Sequence, residues 1–164
     1  MNQIQQSIHV NAPLSTVYNQ WTQCEEFPRF MEGVREVRQI DNAHLHWRAM
    51  RHGCEVEWNS EIIDQVPDEL IAWRDVDGPE NHGSIHFQSI QGDTTRIDIT
   101  LEMPVQPTAG DFSSQQTETA QRIAQDLVRF KHMLEAQKHE SGAWRGQIHE
   151  GKTISASTRP PSAV

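Results

Sequence analysis

Two histidines one residue apart, His44 and His46, stand in the run His44-Leu45-His46-Trp47 and are the first candidates for chemistry. On a strand, residues i and i+2 share a face, so this pair has the spacing to hold a metal ion together. Leu45 and Trp47 occupy the opposite face, however, and if those two are buried the histidines look at solvent. His82 and His86 fall opposite Ile85 and Phe87 by the same rule. The histidines are therefore read as surface groups, with no metal and no other cofactor expected. His52 and Cys54 flank a turn glycine and form no recognisable set. The only cysteines, Cys24 and Cys54, are too few for a disulfide framework and are spaced unlike a zinc site. Reduced thiols are the expectation, with a single bridge between them left open.

Acid–base work needs a donor or acceptor placed inside a pocket. Here Glu55, Glu57, Glu61, Asp98 and Glu102 alternate with apolar residues, as do Arg48, Arg74 and Arg96. That pattern predicts cross-strand ion pairs on a wet face. Ser60 and Ser89 are the polar residues expected on the dry face. A slip of one residue in any strand would reverse these assignments. There is no Gly-rich phosphate loop, nucleophile elbow or zinc-hydrolase motif, and no catalytic residue is assigned.

The elements that must position these residues follow from periodicity. Ile4, Ile8 and Val10 alternate as in a half-buried strand. Pro13 then opens a short helix carrying Leu14, Val17 and Trp21, since a proline at a helix start sacrifices no intrahelical hydrogen bond. A second short helix is expected from Cys24 to Met31, with Pro28 limiting its regularity. Turn signals at Asp41-Asn42, His52-Gly53, Pro67-Asp68, Gly78-Pro79 and Gly92-Asp93 separate about six further strands. The clearest of these holds Ile97, Ile99, Leu101 and Met103 in strict alternation, ended by Pro104 and Pro107. A bulge is expected near Val34 and Val37, which break the period. One long helix follows from Phe112 to about His139, with Ala120, Ile123, Leu127, Phe130 and Leu134 on one stripe. Gln121, Arg122, Gln125, Arg129 and Lys131 are read as its wet face.

The opening Val10-Asn11-Ala12-Pro13-Leu14-Ser15-Thr16-Val17-Tyr18, then Trp21 and Phe27-Pro28-Arg29-Phe30-Met31, resembles the START-like (SRPBCC) superfamily, in its polyketide cyclase/dehydrase and coenzyme-Q-binding-like branch. The order of elements is similar to that superfamily over about residues 3–138. The resemblance implies an α+β helix-grip fold: a curved antiparallel sheet of about seven strands wrapped around a long C-terminal helix, with two short helices after the first strand. It also implies a cavity between sheet and helix.

Alternation and the helical stripe nominate the residues that would meet a ligand there. They are Trp47, Trp58, Trp73, Phe87 and Ile99 from the strands, Leu127 and Phe130 from the long helix, and Trp21, Phe27 and Phe30 from the short helices. Three tryptophans on successive strands would form a broad aromatic wall. Whether each tryptophan faces a ligand or simply fills the core stays open.

Residues 1–140 are expected to form the domain. Residues 141–164, rich in Gly, Ser, Thr and Pro, read as a flexible tail in which Trp144 alone has reason to dock back. A net charge of −9 and the lack of a basic run argue against nucleic acid and against stable attachment to anionic lipid. No apolar run has the length of a membrane span, and the start Met1-Asn2-Gln3-Ile4-Gln5-Gln6 is unlike a secretory signal. A cytoplasmic monomer or homodimer is expected. Three functions stay in view: a binder or carrier of a small hydrophobic molecule, a cyclase/dehydratase-like enzyme using the same cavity, and an interaction module acting through the tail.

Overall fold

Nine unbroken antiparallel pairs join β1 (Asn2–Val10) to β7 (Thr94–Met103), from Asn2 opposite Met103 to Val10 opposite Thr95. The computed structural model describes residues 2–51, 53–77, 81–103 and 112–155. Pro104 and Pro107, the Gly78-Pro79 break, His52 and residues 156–164 lie outside the described residues. After β1 come α1 (Leu14–Trp21), a 3₁₀ helix (Cys24–Arg29), and strands β2 (Val34–Gln39), β3 (His44–Arg51), β4 (Cys54–Val66), β5 (Leu70–Asp77) and β6 (His82–Gln91). The long helix α2 (Phe112–Gln137) follows β7. The strand order β1-β7-β6-β5-β4-β3-β2 is an antiparallel sheet, and the helix-grip fold is present.

Local chemistry explains the elements. Pro13 sits in extended backbone, φ −62° and ψ 153°, and its carbonyl accepts the Val17 N–H at 3.0 Å to start α1. The expected bulge appears between Val34 and Glu36. On the outer face Arg48 pairs with Glu36 and Glu55, Arg74 with Glu61, and Arg96 with Asp98. On the inner face Leu127, Phe130 and Leu134 of α2 are fully buried. Polar ties fix the helix across the sheet edge: Lys131 donates to the His9 carbonyl at 3.1 Å, and the Asn11 N–H donates to Glu135 at 2.7 Å.

Two findings depart from the sequence-based expectations. The first is a second irregularity in β4, between Ile62 and Asp64, where Ile62 faces Trp73 and Asp64 faces Ala72. The extra residue, Ile63, changes the phase of the strand, so that inward positions run Ser60, Ile62 and then Gln65, which is only 3% exposed.

The second concerns the segment after α2, which the composition assigned to a flexible tail. The described part folds back as β8 (Gln147–His149) and β9 (Lys152–Ser155). β8 pairs with β4 at Asp64 and Gln65, just beyond the point where β3 begins opposite Glu61. It covers the stretch of β4 edge that β3 leaves open. The hairpin is locked by the Gly151 N–H donating to the Ile63 carbonyl at 3.0 Å. Ile148 is fully buried. Backbone pairing and the buried Ile148 hold a segment whose composition is mostly Gly, Ser, Thr and other polar residues.

Ile148→Ala should therefore cost about 2–4 kcal/mol of unfolding free energy in a urea titration. A loss below about 0.5 kcal/mol would mean that this strap does not contribute to the core.

Candidate functional site

A cavity of about 270 Å³ lies between the inner face of the sheet and α2. It falls just under the ~300–1,000 Å³ usual for small-molecule clefts. Of the residues nominated by sequence, Trp21, Phe27, Trp47, Trp58, Trp73, Ile99 and Leu127 line it. Phe30, Phe87 and Phe130 do not, and are core residues instead. Phe30 and Phe130 pack at 5.1 Å, and both lean on Trp21 at 5.4 and 4.8 Å, forming an aromatic cluster beside the cavity. Phe87 stands edge-on to Tyr18 at 5.2 Å and 80°.

The aromatic wall is built differently from a simple row of three indoles. Trp47 and Trp58 are directly opposed across β3 and β4, and their rings stack at 5.6 Å and 6°. Phe27 extends the stack from the 3₁₀ helix, 5.6 Å from Trp47. Both stacked indoles have their N–H groups satisfied within the protein: Trp47 donates to Ser60 Oγ at 2.9 Å, and Trp58 to the Asp75 carboxylate. Those bonds fix the rings and leave their surfaces as apolar contact area. Trp73 lies opposite Ile62 and Gly83, four residues along β4 from Trp58. Any Cβ at Gly83 would sit 3.0 Å from the Trp73 ring and 2.5 Å from the Thr100 carbonyl, so the glycine makes room for the indole.

The lining is more polar than alternation implied. Asp75 faces the cavity in phase with Ile71 and Trp73, and it accepts from the Asn81 N–H at 3.3 Å as well as from Trp58. Burial, reinforced by nearby Asp77, pushes its carboxyl up to about 6 against those stabilising hydrogen bonds. Arg51 continues the inward set Leu45, Trp47 and Ala49 to the far end of β3 and also lines the cavity. Burial, with some repulsion from Arg122, lowers the affinity of its guanidinium for a proton. Arg122, read from sequence as wet, lines the cavity with Asp126. Where alternation places only Ser60 and Ser89 as polar groups on the inner face, the cavity also carries Asp75, Arg51, Arg122 and Asp126.

Two further polar features complete the wall. Gln65, re-aimed by the β4 irregularity, donates to the Tyr18 hydroxyl at 2.9 Å. Trp144 closes one side from the strap, its backbone N–H donating to Thr22 Oγ1 at 3.0 Å. Ser60 is buried as expected, whereas Ser89 is exposed. His44 and His46 lie on the outer face, His44 beside Asp41 and His46 bridging Asn59 and Glu57 at 2.7 and 2.9 Å. Cys24 is buried and Cys54 exposed, both as free thiols.

The signal for Asp75 and Arg51 was in the alternation itself, continued one step past the last apolar residue. No such signal existed for Gln65, because the phase change in β4 depends on its partners.

Residues 10–128 match the family model described as polyketide cyclase / dehydrase and lipid transport. An uncharacterized 17.2 kDa protein of Streptomyces lincolnensis is 36% identical over 155 residues, covering 90% of this chain and 99% of that protein. Among solved structures, the Zhui aromatase/cyclase of a Streptomyces species superposes with a TM-score of 0.70 at 14% identity, covering 87% of this chain and 98% of that one. A START superfamily protein from Mycobacterium smegmatis gives 0.68 at 15% identity, covering 80% and 98%.

Asp75 supplies a pH test. Because its folded value is about 6 against an ordinary 3.8, the native state holds a proton that the unfolded chain has already lost across that window. Its contribution to stability therefore falls as pH rises through the window. Asp75→Asn keeps an acceptor for the Trp58 and Asn81 N–H groups. Its stability relative to the parent should improve by roughly 1 kcal/mol between about pH 4 and pH 8, the figure being reduced for partial hydration. Urea titrations across that range that give a constant gap would show an undisturbed carboxyl.

Proposed function

The chain belongs to the polyketide cyclase / dehydrase and lipid transport family, and from that footing we propose that it binds or carries a small, flat hydrophobic molecule of the quinone, aromatic polyketide or lipid class. The observation that carries this reading is the Trp47–Trp58 stack facing a cavity, with both indole N–H groups already bonded inside the protein. A surface of that kind stacks on a planar ring and excludes water without competing for the ligand's polar groups. Ile62, Ile71, Ile99 and Leu127 supply the apolar remainder. The residues nominated as ligand contacts are Trp21, Phe27, Trp47, Trp58, Trp73, Ile99 and Leu127.

The second reading is a cyclase- or dehydratase-like enzyme in the same cavity, and Asp75 is what favours it. A carboxyl whose value is raised to about 6 exchanges protons close to neutral pH, as a general acid or base must. The likeness to an aromatase/cyclase adds to this reading at the level of fold. An interaction module acting through the tail has less support, since Trp144 and Ile148 are engaged with the body of the protein. Among the described residues no helix is long and apolar enough to cross a membrane. A cytoplasmic monomer or homodimer without a nucleic-acid partner is part of this proposal.

Native mass spectrometry of freshly purified protein, followed by solvent extraction, tests the reading directly: a discrete retained small molecule is the expected result. In parallel, a naphthoquinone should quench the tryptophan fluorescence saturably. Trp58→Ala should weaken that binding on the order of tenfold while keeping a cooperative unfolding transition. Failure of the unaltered protein to retain or bind any flat apolar molecule overturns the proposal, and loss of folding in Trp58→Ala would mark that residue as core.

A further inference from the structure

The two arginines that line the cavity have few partners. Among the described residues, neither Arg51 nor Arg122 makes an ion pair within 4.0 Å. The Arg51 guanidinium donates, among the described residues, only to the carbonyl of its neighbour Met50, at 3.0 Å. The two come from different elements, the end of β3 and the middle of α2, yet converge on one end of the same cavity. They are close enough for the charge of Arg122 to act on Arg51.

Asp126 and Glu32 both act on Arg51 and offset part of this positive charge without closing a short ion pair to it. Asp126 shares the corner but accepts the Glu32 N–H at 3.0 Å and the guanidinium of Arg129. Glu32 is 64% exposed at its side chain and approaches Arg129 at 3.7 Å. Three guanidiniums thus meet two carboxylates, which leaves one positive charge in excess, and both short ion pairs go to Arg129 rather than to the two arginines that line the cavity. The seat of Arg51 is also shaped: Gly33 has φ +84°, and a Cβ there would lie 2.7 Å from Arg51 Nη1. Only a glycine allows both that backbone and that guanidinium position.

A half-buried guanidinium without an anion leaves much of its desolvation cost uncompensated. Its planar fork matches a carboxylate, to which it can donate two parallel hydrogen bonds. We propose that Arg51 and Arg122 form an anion seat at one end of the cavity, which receives the carboxylate of a ligand whose flat apolar body lies against Trp47 and Trp58. This inference rests on the reading of the cavity as a ligand site and adds the polarity and orientation of the ligand. Arg51 lies four residues along β3 from Trp47, about 13 Å. A bicyclic ring together with an extended arginine side chain bridges that span. The neutral members of the quinone and lipid classes are then disfavoured relative to an aromatic or aliphatic acid.

The test compares naphthoate with its methyl ester, measured by quenching of tryptophan fluorescence and by calorimetry at neutral pH. The unaltered protein should bind the acid more tightly than the ester, on the order of tenfold. Arg51→Gln and Arg122→Gln should each erase most of that preference, lowering the affinity for the acid far more than the affinity for the ester. Equal binding of acid and ester by the unaltered protein would overturn the anion seat and leave the apolar cavity intact. Binding of neither would overturn the cavity reading and this inference with it. The acid–ester comparison needs no variant, so a substitution that fails to fold does not blunt it.

Discussion

A helix of 26 residues is about 39 Å long but only about 10 Å across, whereas seven paired strands at about 4.8 Å spacing span roughly 29 Å. One such helix leaves much of the inner face uncovered, however the sheet curves. Large side chains must fill part of the gap, and the rest remains as space. The Trp21–Phe30–Phe130 cluster is the filled part, with rings 4.8–5.4 Å apart. The space bounded by Trp47, Trp58 and Trp73 is the remainder. Size mismatch thus creates the cavity, and the tryptophans determine its character.

The irregularity at Ile63 links the cavity to the strap. By adding one residue it turns Gln65 inward to hold the Tyr18 hydroxyl, and it presents a carbonyl that Gly151 takes. Burial nevertheless dominates at Tyr18, whose phenol is pushed up to about 12 and stays neutral. The strap in turn brings in Trp144 and Arg145. Arg145 pairs with Asp68 at 2.7 Å and lies 5.4 Å over the Tyr18 ring. A single extra residue in β4 therefore shapes the cavity lining and provides the dock for the C-terminal hairpin.

Most of the architecture was legible because two periodicities carry it. Alternation in Ile97, Ile99 and Leu101 and the stripe Ile123, Leu127, Phe130 and Leu134 identify inner faces without knowledge of partners. Alternation does not say whether an inward aromatic meets a void or another side chain, so Phe30, Phe87 and Phe130 were indistinguishable from Trp47 and Trp58. Asp75 and Arg51 escape alternation for a different reason: apolar character is what marks a position as inward, and these two hold inward positions with charged side chains. Composition does not report the strap, because it is held by backbone pairing with β4.

The C-terminal hairpin has a consequence for how the molecule is made. Trp58 leaves the ribosome 97 residues before Ser155, the last residue of β9. At ~5–20 residues per second that interval is roughly 5–20 s. Throughout it, the aromatic face lacks the α2 helix, the partner strand of β1, or the final hairpin. For those seconds the nascent chain exposes an unpaired stretch of β4 edge beside a row of indoles, the combination most prone to joining a neighbouring chain. The surface that suits a hydrophobic guest in the finished protein is thus a hazard during translation, and the pairing of the Gln147–Ser155 hairpin brings that exposure to an end.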